Sequence, residues 1–193
     1  MIFMFDMGGV VANSSSMKNI CKELGVNERD FLLFQLDSQG RNSYQQLSVG
    51  EIDVVDYWLN FSRNSKKKIA IDYFKMLYDP VQNNVLVSFL EKLKKKNHRV
   101  VCGTNTIESH FEEHRRLGNY AIFDCVYSSH LLGVKKPSTD FFNKVIESEQ
   151  VLAENIYFVD DDQENIEAAK NIGMKTHLFV SNTILKNALD EYF

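Results

Sequence analysis

Four short apolar runs punctuate the chain: Ile2–Phe5, Val100–Cys102, Ile156–Val159 and His177–Val180. Each is too short for a helix and rich in branched or aromatic residues, which predicts strands buried on both faces of a parallel sheet. A fifth candidate, Ile122–Tyr127, is interrupted by Asp124. Helical spacing fills the gaps. Val85, Phe89, Leu90 and Leu93 form one apolar stripe, and Ile166, Ala169 and Ile172 form another, with Gly173 placed as a C-cap. Pro137 suits the first turn of a helix running to about Glu147. Strands alternating with helices predict right-handed crossovers and a three-layer α/β fold with a parallel, Rossmann-like sheet.

The stretch from Ser14 to Asp79 breaks this alternation. Helical patterning recurs at Met17–Leu24, Asp30–Leu36, Ile52–Phe61 and Ile69–Leu77, with no convincing buried strand between. The expected organisation is a core made of residues 1–13 plus 80–193, with an all-helical cap of residues 14–79 inserted after the first strand. The aromatics Phe31, Phe34, Tyr57 and Trp58 are expected to fill the core of that insertion.

Composition narrows the classes. With 44% hydrophobic and 25% charged residues, the 193-residue chain can bury a sizeable core. A net charge of −4 argues against nucleic acid as a partner. The basic run Lys92, Lys94, Lys95 and Lys96 reads as the closing turn of a helix. Cys21, Cys102 and Cys125 are odd in number and far apart, so no disulfide framework is expected, and a reducing, cytoplasmic setting fits. No apolar run approaches the roughly 18 residues of a membrane span. The opening MIFMFDMGGVV is not a signal peptide, since it lacks a charged start and Asp6 interrupts it.

The chemistry is expected where the strands end. Ile2–Phe5 leads into Asp6, Val100–Cys102 into Gly103 and Thr104, and Ile156–Val159 into Asp160, Asp161 and Asp162. In an open parallel sheet the carboxyl ends share one edge, so these groups should meet. Carboxylates gathered against apolar surface repel one another and lose hydration. A hard cation with oxygen ligands resolves this, and magnesium is the usual choice beside phosphate. Neither a P-loop nor G-x-G-x-x-G is present. His110–His114 matches H-x-x-E-H but reads as a polar helix face rather than a zinc site.

These residues resemble the motifs of the haloacid dehalogenase-like hydrolases. Asp6-Met7-Gly8-Gly9-Val10 is similar to the first motif, Thr104 after VVCG to the second, Lys136 in KKPS to the third, and Asp160 and Asp161 in YFVDDDQENIEAA to the acidic fourth. The resemblance runs in order across roughly residues 1–13 and 80–180, and the helical insertion resembles the family's small cap. It implies Asp6 as nucleophile, forming an aspartyl-phosphate, with Mg2+ held by Asp6, the Gly8 carbonyl and Asp160, and with Asp161 binding the metal directly or through water, or orienting Lys136. It also implies Thr104 and Lys136 as catalytic contacts to the phosphoryl group, with Asn105 as a further amide donor to substrate. From the residues alone, Thr104 could equally cap the following helix, as could Asn105 or Thr106.

One position departs from the pattern. Phosphatases of the family usually carry a second Asp two residues after the nucleophile, as acid and base; here that position is Gly8. A branch of sugar-phosphate phosphatases, including ones acting on glucose 1-phosphate, has the D-x-G-x-V form. The expected activity is therefore magnesium-dependent hydrolysis of a small phosphorylated metabolite, a sugar phosphate. The missing proton would be spared by an anomeric leaving group or supplied by a cap residue. The alternatives are a 2-haloacid dehalogenase, which needs no metal, and a weakly catalytic relative with a binding or regulatory role.

Overall fold

The computed structural model describes residues 1–14 and 16–193; Ser15, within the expected cap segment, lies outside the described residues. Strand β1 (Ile2–Phe5) is central in a sheet completed by β4 (Arg99–Thr104), β5 (Cys125–Ser128), β6 (Ile156–Asp160) and β7 (Lys175–Leu178). The order is β5-β4-β1-β6-β7 and every pairing is parallel. A separate two-stranded ribbon joins β2 (Ala12–Asn13) to β3 (Val81–Gln82).

Alternation along β1 builds both layers of core. Phe3 and Phe5 pack on the face covered by α6 (Asn84–Lys95) and α11 (Asn182–Leu189), through Leu86, Leu90, Leu93, Leu185 and Leu189. Ile2 and Met4 pack on the opposite face, covered by α9 (Thr139–Glu149) and α10 (Gln163–Asn171), through Phe141, Phe142, Val145, Ile166 and Ala169. Both faces are buried, as continuous apolar strands require. Because α6 and α10 lie on opposite faces, the crossovers diverge between β1 and β6, and the crevice opens at the carboxyl ends of those two strands.

Between the ribbon strands run α1 (Ser16–Leu24), α2 (Glu28–Phe34), α3 (Ser43–Ser48), α4 (Val54–Ser65) and α5 (Tyr73–Met76). They share an aromatic core of Phe31, Tyr57, Trp58, Phe61 and Phe74, which also takes in Ile107 from beyond β4. Several contacts tie these helices to the sheet domain. The Ser129 hydroxyl donates to the Ser48 carbonyl at 2.6 Å and accepts from the Thr106 N–H. Asp72 accepts from the Ser109 hydroxyl and from the Trp58 indole. Gly50, at φ +71°, lies so close to the His130 carbonyl that a Cβ would stand 2.4 Å from it.

Several boundaries differ from expectation. The edge strand β7 begins two residues early, at exposed Lys175, because an edge tolerates a solvated end. Strand β5 begins only after Asp124, whose carboxylate accepts from the Val100 N–H and from the Lys94 ammonium. Pro137 does not open α9. It follows a cis peptide, Ser138 caps the helix, and the helix begins at Thr139. Asn105 holds both main-chain polar groups of Lys136, which keeps that strap out of helical geometry. Helix α3 escaped the pattern because its six residues carry one fully buried large apolar side chain, Leu47; its visible signal is the Asn42 cap. Helix α5 is shorter than expected because Asp72 starts it late.

Candidate active site

The segment after β1 is a tight turn. The Asp6 N–H donates to the Val159 carbonyl, and the Met7 carbonyl accepts from both Val11 and Ala12. This seats Asp6 at the switch point between β1 and β6. Asp160, the last residue of β6, comes alongside, fully buried. Lys136 bridges the two carboxylates: its Nζ is 2.9 Å from Asp6 Oδ1 and 2.6 Å from Asp160 Oδ2, with the side chain almost fully buried. Asp161 completes the group, and one carboxylate oxygen from each of Asp6, Asp160 and Asp161 can lie within 4.8 Å of the others.

Charge follows from this packing. Burial pushes the Asp6 carboxyl up, Lys136 pulls it back and Asp160 repels it, so it titrates at about 6. For Lys136 burial works against the charge, but attraction and hydrogen bonds from Asp6 and Asp160 outweigh it and hold the pKa above the ordinary lysine value. Burial and Asp160 likewise raise Asp161. Three carboxylates facing one ammonium leave two negative charges uncompensated, and the donors are all oxygen. That is the charge and ligand type of a site for one divalent hard cation, so the residues fit magnesium.

Thr104 ends β4, buried, in register with Ser128. It is a strand end, and helix α7 (Glu108–Arg116) begins four residues later with Ile107 at its cap position and no side-chain cap bond. Asn105 and Thr106 therefore do not cap that helix. The Asn105 amide spends its oxygen on the Lys136 N–H at 2.9 Å and one donor on the Lys136 carbonyl at 2.8 Å. It holds the lysine strap, and one N–H remains for any other partner.

Gly8 is exposed, and a Cβ built there meets nothing within 4 Å. Gly9 is the opposite case. Its φ is +76°, and an added Cβ would stand 2.0 Å from Asp161 Oδ2. Gly9→Ala should therefore displace Asp161 and strain the turn by about 1–2 kcal/mol. Titration of magnesium by calorimetry should show affinity weakened about 10–100-fold.

Sequence reasoning missed Asn165. Its amide lies 3.1 Å from both Asp160 oxygens, while the Asp162 N–H donates to Asp160 Oδ1 at 2.8 Å. The available signal was its position four residues before Ala169, a polar residue on the inward stripe of α10. The H-x-x-E-H match does not form a metal pair. His114 spends one ring nitrogen on the Tyr78 hydroxyl at 2.7 Å and the other on the Asn119 amide at 2.9 Å.

Comparison with known proteins follows the same lines. A family described as haloacid dehalogenase-like hydrolase matches residues 3–179. D-ribitol-5-phosphate phosphatase of Bacteroides thetaiotaomicron is 24% identical over 185 residues, covering 89% of this chain and 88% of that protein. A sesquiterpene phosphatase of Aspergillus oryzae is 32% identical over 90 residues, 46% of each chain. The chain thus spans under half the length of that relative, and 21% of a drimenol cyclase of Aspergillus calidoustus. A HAD family enzyme of B. thetaiotaomicron, solved with magnesium and inorganic phosphate, superposes at a TM-score of 0.76 with 21% identity over 92% of both chains. Among the described residues, no helix is long and apolar enough to cross a membrane.

Proposed function

The chain belongs to the haloacid dehalogenase-like hydrolases, and from that premise we propose that it is a magnesium-dependent phosphatase of a small sugar or sugar-alcohol phosphate, working through a phosphoryl group carried on Asp6. The observation that carries the reading is the buried Lys136 held between Asp6 and Asp160, with Asp161 beside them. The likeness to a ribitol-phosphate phosphatase, over 88% of that protein, supports the substrate class.

Asp6 presents a carboxylate oxygen for in-line attack on phosphorus. Lys136 keeps that carboxylate ionised and offers its remaining donor to the phosphoryl oxygens, whose charge it offsets. Thr104, at the neighbouring strand end, donates its hydroxyl to a phosphoryl oxygen. Asn105 and Asn165 hold Lys136 and Asp160 in place. Asp6, Asp160, Asp161 and the Gly8 carbonyl would hold magnesium, which would supply electrophilic stabilisation of phosphoryl charge. Residues 14–79 act as a cap that shields the crevice from water and selects the alcohol.

The titration of Asp6 sets a pH dependence. Its carboxyl must lose a proton to ligate the cation, so magnesium affinity should rise from about pH 5 to about pH 7 as pH passes about 6. Without metal the sign reverses. A raised carboxyl contributes stability below its unfolded value and loses it as pH climbs through about 6. The magnesium-induced shift in unfolding midpoint should therefore grow with pH across that window, and a shift independent of pH would contradict the assignment.

The test of function is phosphate release from D-ribitol 5-phosphate, sugar 1- and 6-phosphates and p-nitrophenyl phosphate, with magnesium and with a chelator. Chelator-sensitive release supports the reading. Halide release from 2-haloacids without phosphate release would replace it with a dehalogenase.

A further inference from the structure

We propose that Ser129 is a positioning residue, which ties the seating of the helical cap to the placement of Lys136 between Asp6 and Asp160. The inference rests on the phosphatase reading above and adds the linkage through which the cap acts on the chemistry.

Ser129 opens the short helix α8 (Ser129–Leu132) directly after β5 and is fully buried. Its hydroxyl stands between two segments that are themselves buried. On one side is the carbonyl of Ser48, the last residue of α3, 2.6 Å away. On the other is Thr106, whose N–H donates to the hydroxyl oxygen at 2.9 Å and whose carbonyl lies 3.1 Å from it. A hydroxyl has one proton, so the Ser48 and Thr106 carbonyls compete for it. The shorter distance assigns it to Ser48 while the cap is seated. When the cap lifts, the Thr106 carbonyl takes it, and the hydroxyl is never left unpaired. Ser129 thus has two satisfied arrangements, one for each position of the cap.

The two arrangements hold the loop after β4 differently. A hydroxyl that donates to Ser48 is polarised and accepts more strongly from the Thr106 N–H. Thr106 is joined by a peptide bond to Asn105, whose amide holds the Lys136 N–H at 2.9 Å and the Lys136 carbonyl at 2.8 Å. Lys136 in turn reaches Asp6 at 2.9 Å and Asp160 at 2.6 Å. Every link from Ser48 to Asp6 is therefore a hydrogen bond, an ion pair or covalent chain. No proton or electron passes along it. It fixes the position of the ammonium that meets the phosphoryl charge.

Ser129→Ala removes the hydroxyl and tests the linkage. Every phosphoryl group must meet Lys136, so kcat should fall about 10–100-fold on D-ribitol 5-phosphate and on p-nitrophenyl phosphate alike. A loss confined to KM for the sugar-alcohol phosphate, with p-nitrophenyl phosphate spared, would mean that Ser129 only holds the cap against the alcohol, and overturns the proposal. Because Ser129 acts through Asn105, the Ser129→Ala, Asn105→Ala double variant should match Asn105→Ala alone within about twofold, and additive losses overturn the proposal. Hydrogen exchange reads the linkage without turnover. In folded Ser129→Ala the Lys136 amide should exchange about tenfold faster relative to the amides of β1 and β6, and unchanged protection overturns the proposal. Should Ser129→Ala fail to fold, exchange in the wild-type protein decides. The Thr106 and Lys136 amides should then open together with those of α3, short of global unfolding, and separate openings overturn the proposal. If the wild-type protein releases phosphate with magnesium while these patterns fail, the phosphatase reading stands and the Ser129 role falls. If it releases no phosphate from any substrate, both fall.

Discussion

Asp6→Asn should lower phosphate release by on the order of 10⁴–10⁶-fold, the loss expected when a covalent nucleophile is removed. The amide matches the carboxylate in shape but is too weak a nucleophile to take the phosphoryl group. The fold should survive, because Asp6 is buried at a place where its charge is disfavoured: burial and Asp160 together outweigh Lys136 and raise the carboxyl to about 6. Removing that charge leaves Lys136 paired with Asp160 at 2.6 Å. The metal-free unfolding midpoint at pH 7 should therefore stay level or rise while activity disappears. Turnover within about tenfold of wild type would remove Asp6 from the chemistry.

Lys136→Met should have the largest effect on stability. The ammonium is the shared counter-charge of Asp6 and Asp160, and it is 2% exposed. Taking one partner from a buried ion pair costs about 3–5 kcal/mol, since the other charges stay buried without compensation. For a chain of this size that is a fall of roughly 6–20 °C in the unfolding midpoint. Magnesium should recover part of it by supplying positive charge at the same carboxylates. Activity should drop about 10²–10³-fold from the lost phosphoryl contact. Differential scanning calorimetry with and without magnesium reads the stability effect. An unchanged midpoint would mean that Lys136 is not the charge that holds the cluster together.

The parts of this site legible in the sequence share one property: each sits at a strand end or in a local motif. Asp6 and Asp160 follow runs that could only be buried strands, and parallel pairing then brings them to one edge. Lys136 and Thr104 were legible through the family resemblance, because a loop lysine and a strand-end threonine carry no periodic signal of their own. Gly8 could be read as a missing acid, but the open volume beside it is visible only in three dimensions. Asn105 was expected to face substrate, and its bonds to Lys136, 31 residues away, are beyond any local pattern. The Ser129–Ser48 bond between sheet domain and cap is hidden for the same reason. Boundary errors fell on weakly patterned elements, α3 with one fully buried large apolar side chain and β7 at the solvated edge.

The most direct measurement of the central claim is to quench the enzyme in acid during turnover with magnesium and sugar phosphate, then locate the phosphoryl group by peptide mass. The account predicts an acid-stable, hydroxylamine-sensitive phosphoryl group on the peptide containing Asp6, absent with chelator and absent in Asp6→Asn. Steady magnesium-dependent turnover with no phosphorylated peptide, undiminished by Asp6→Asn, would contradict it.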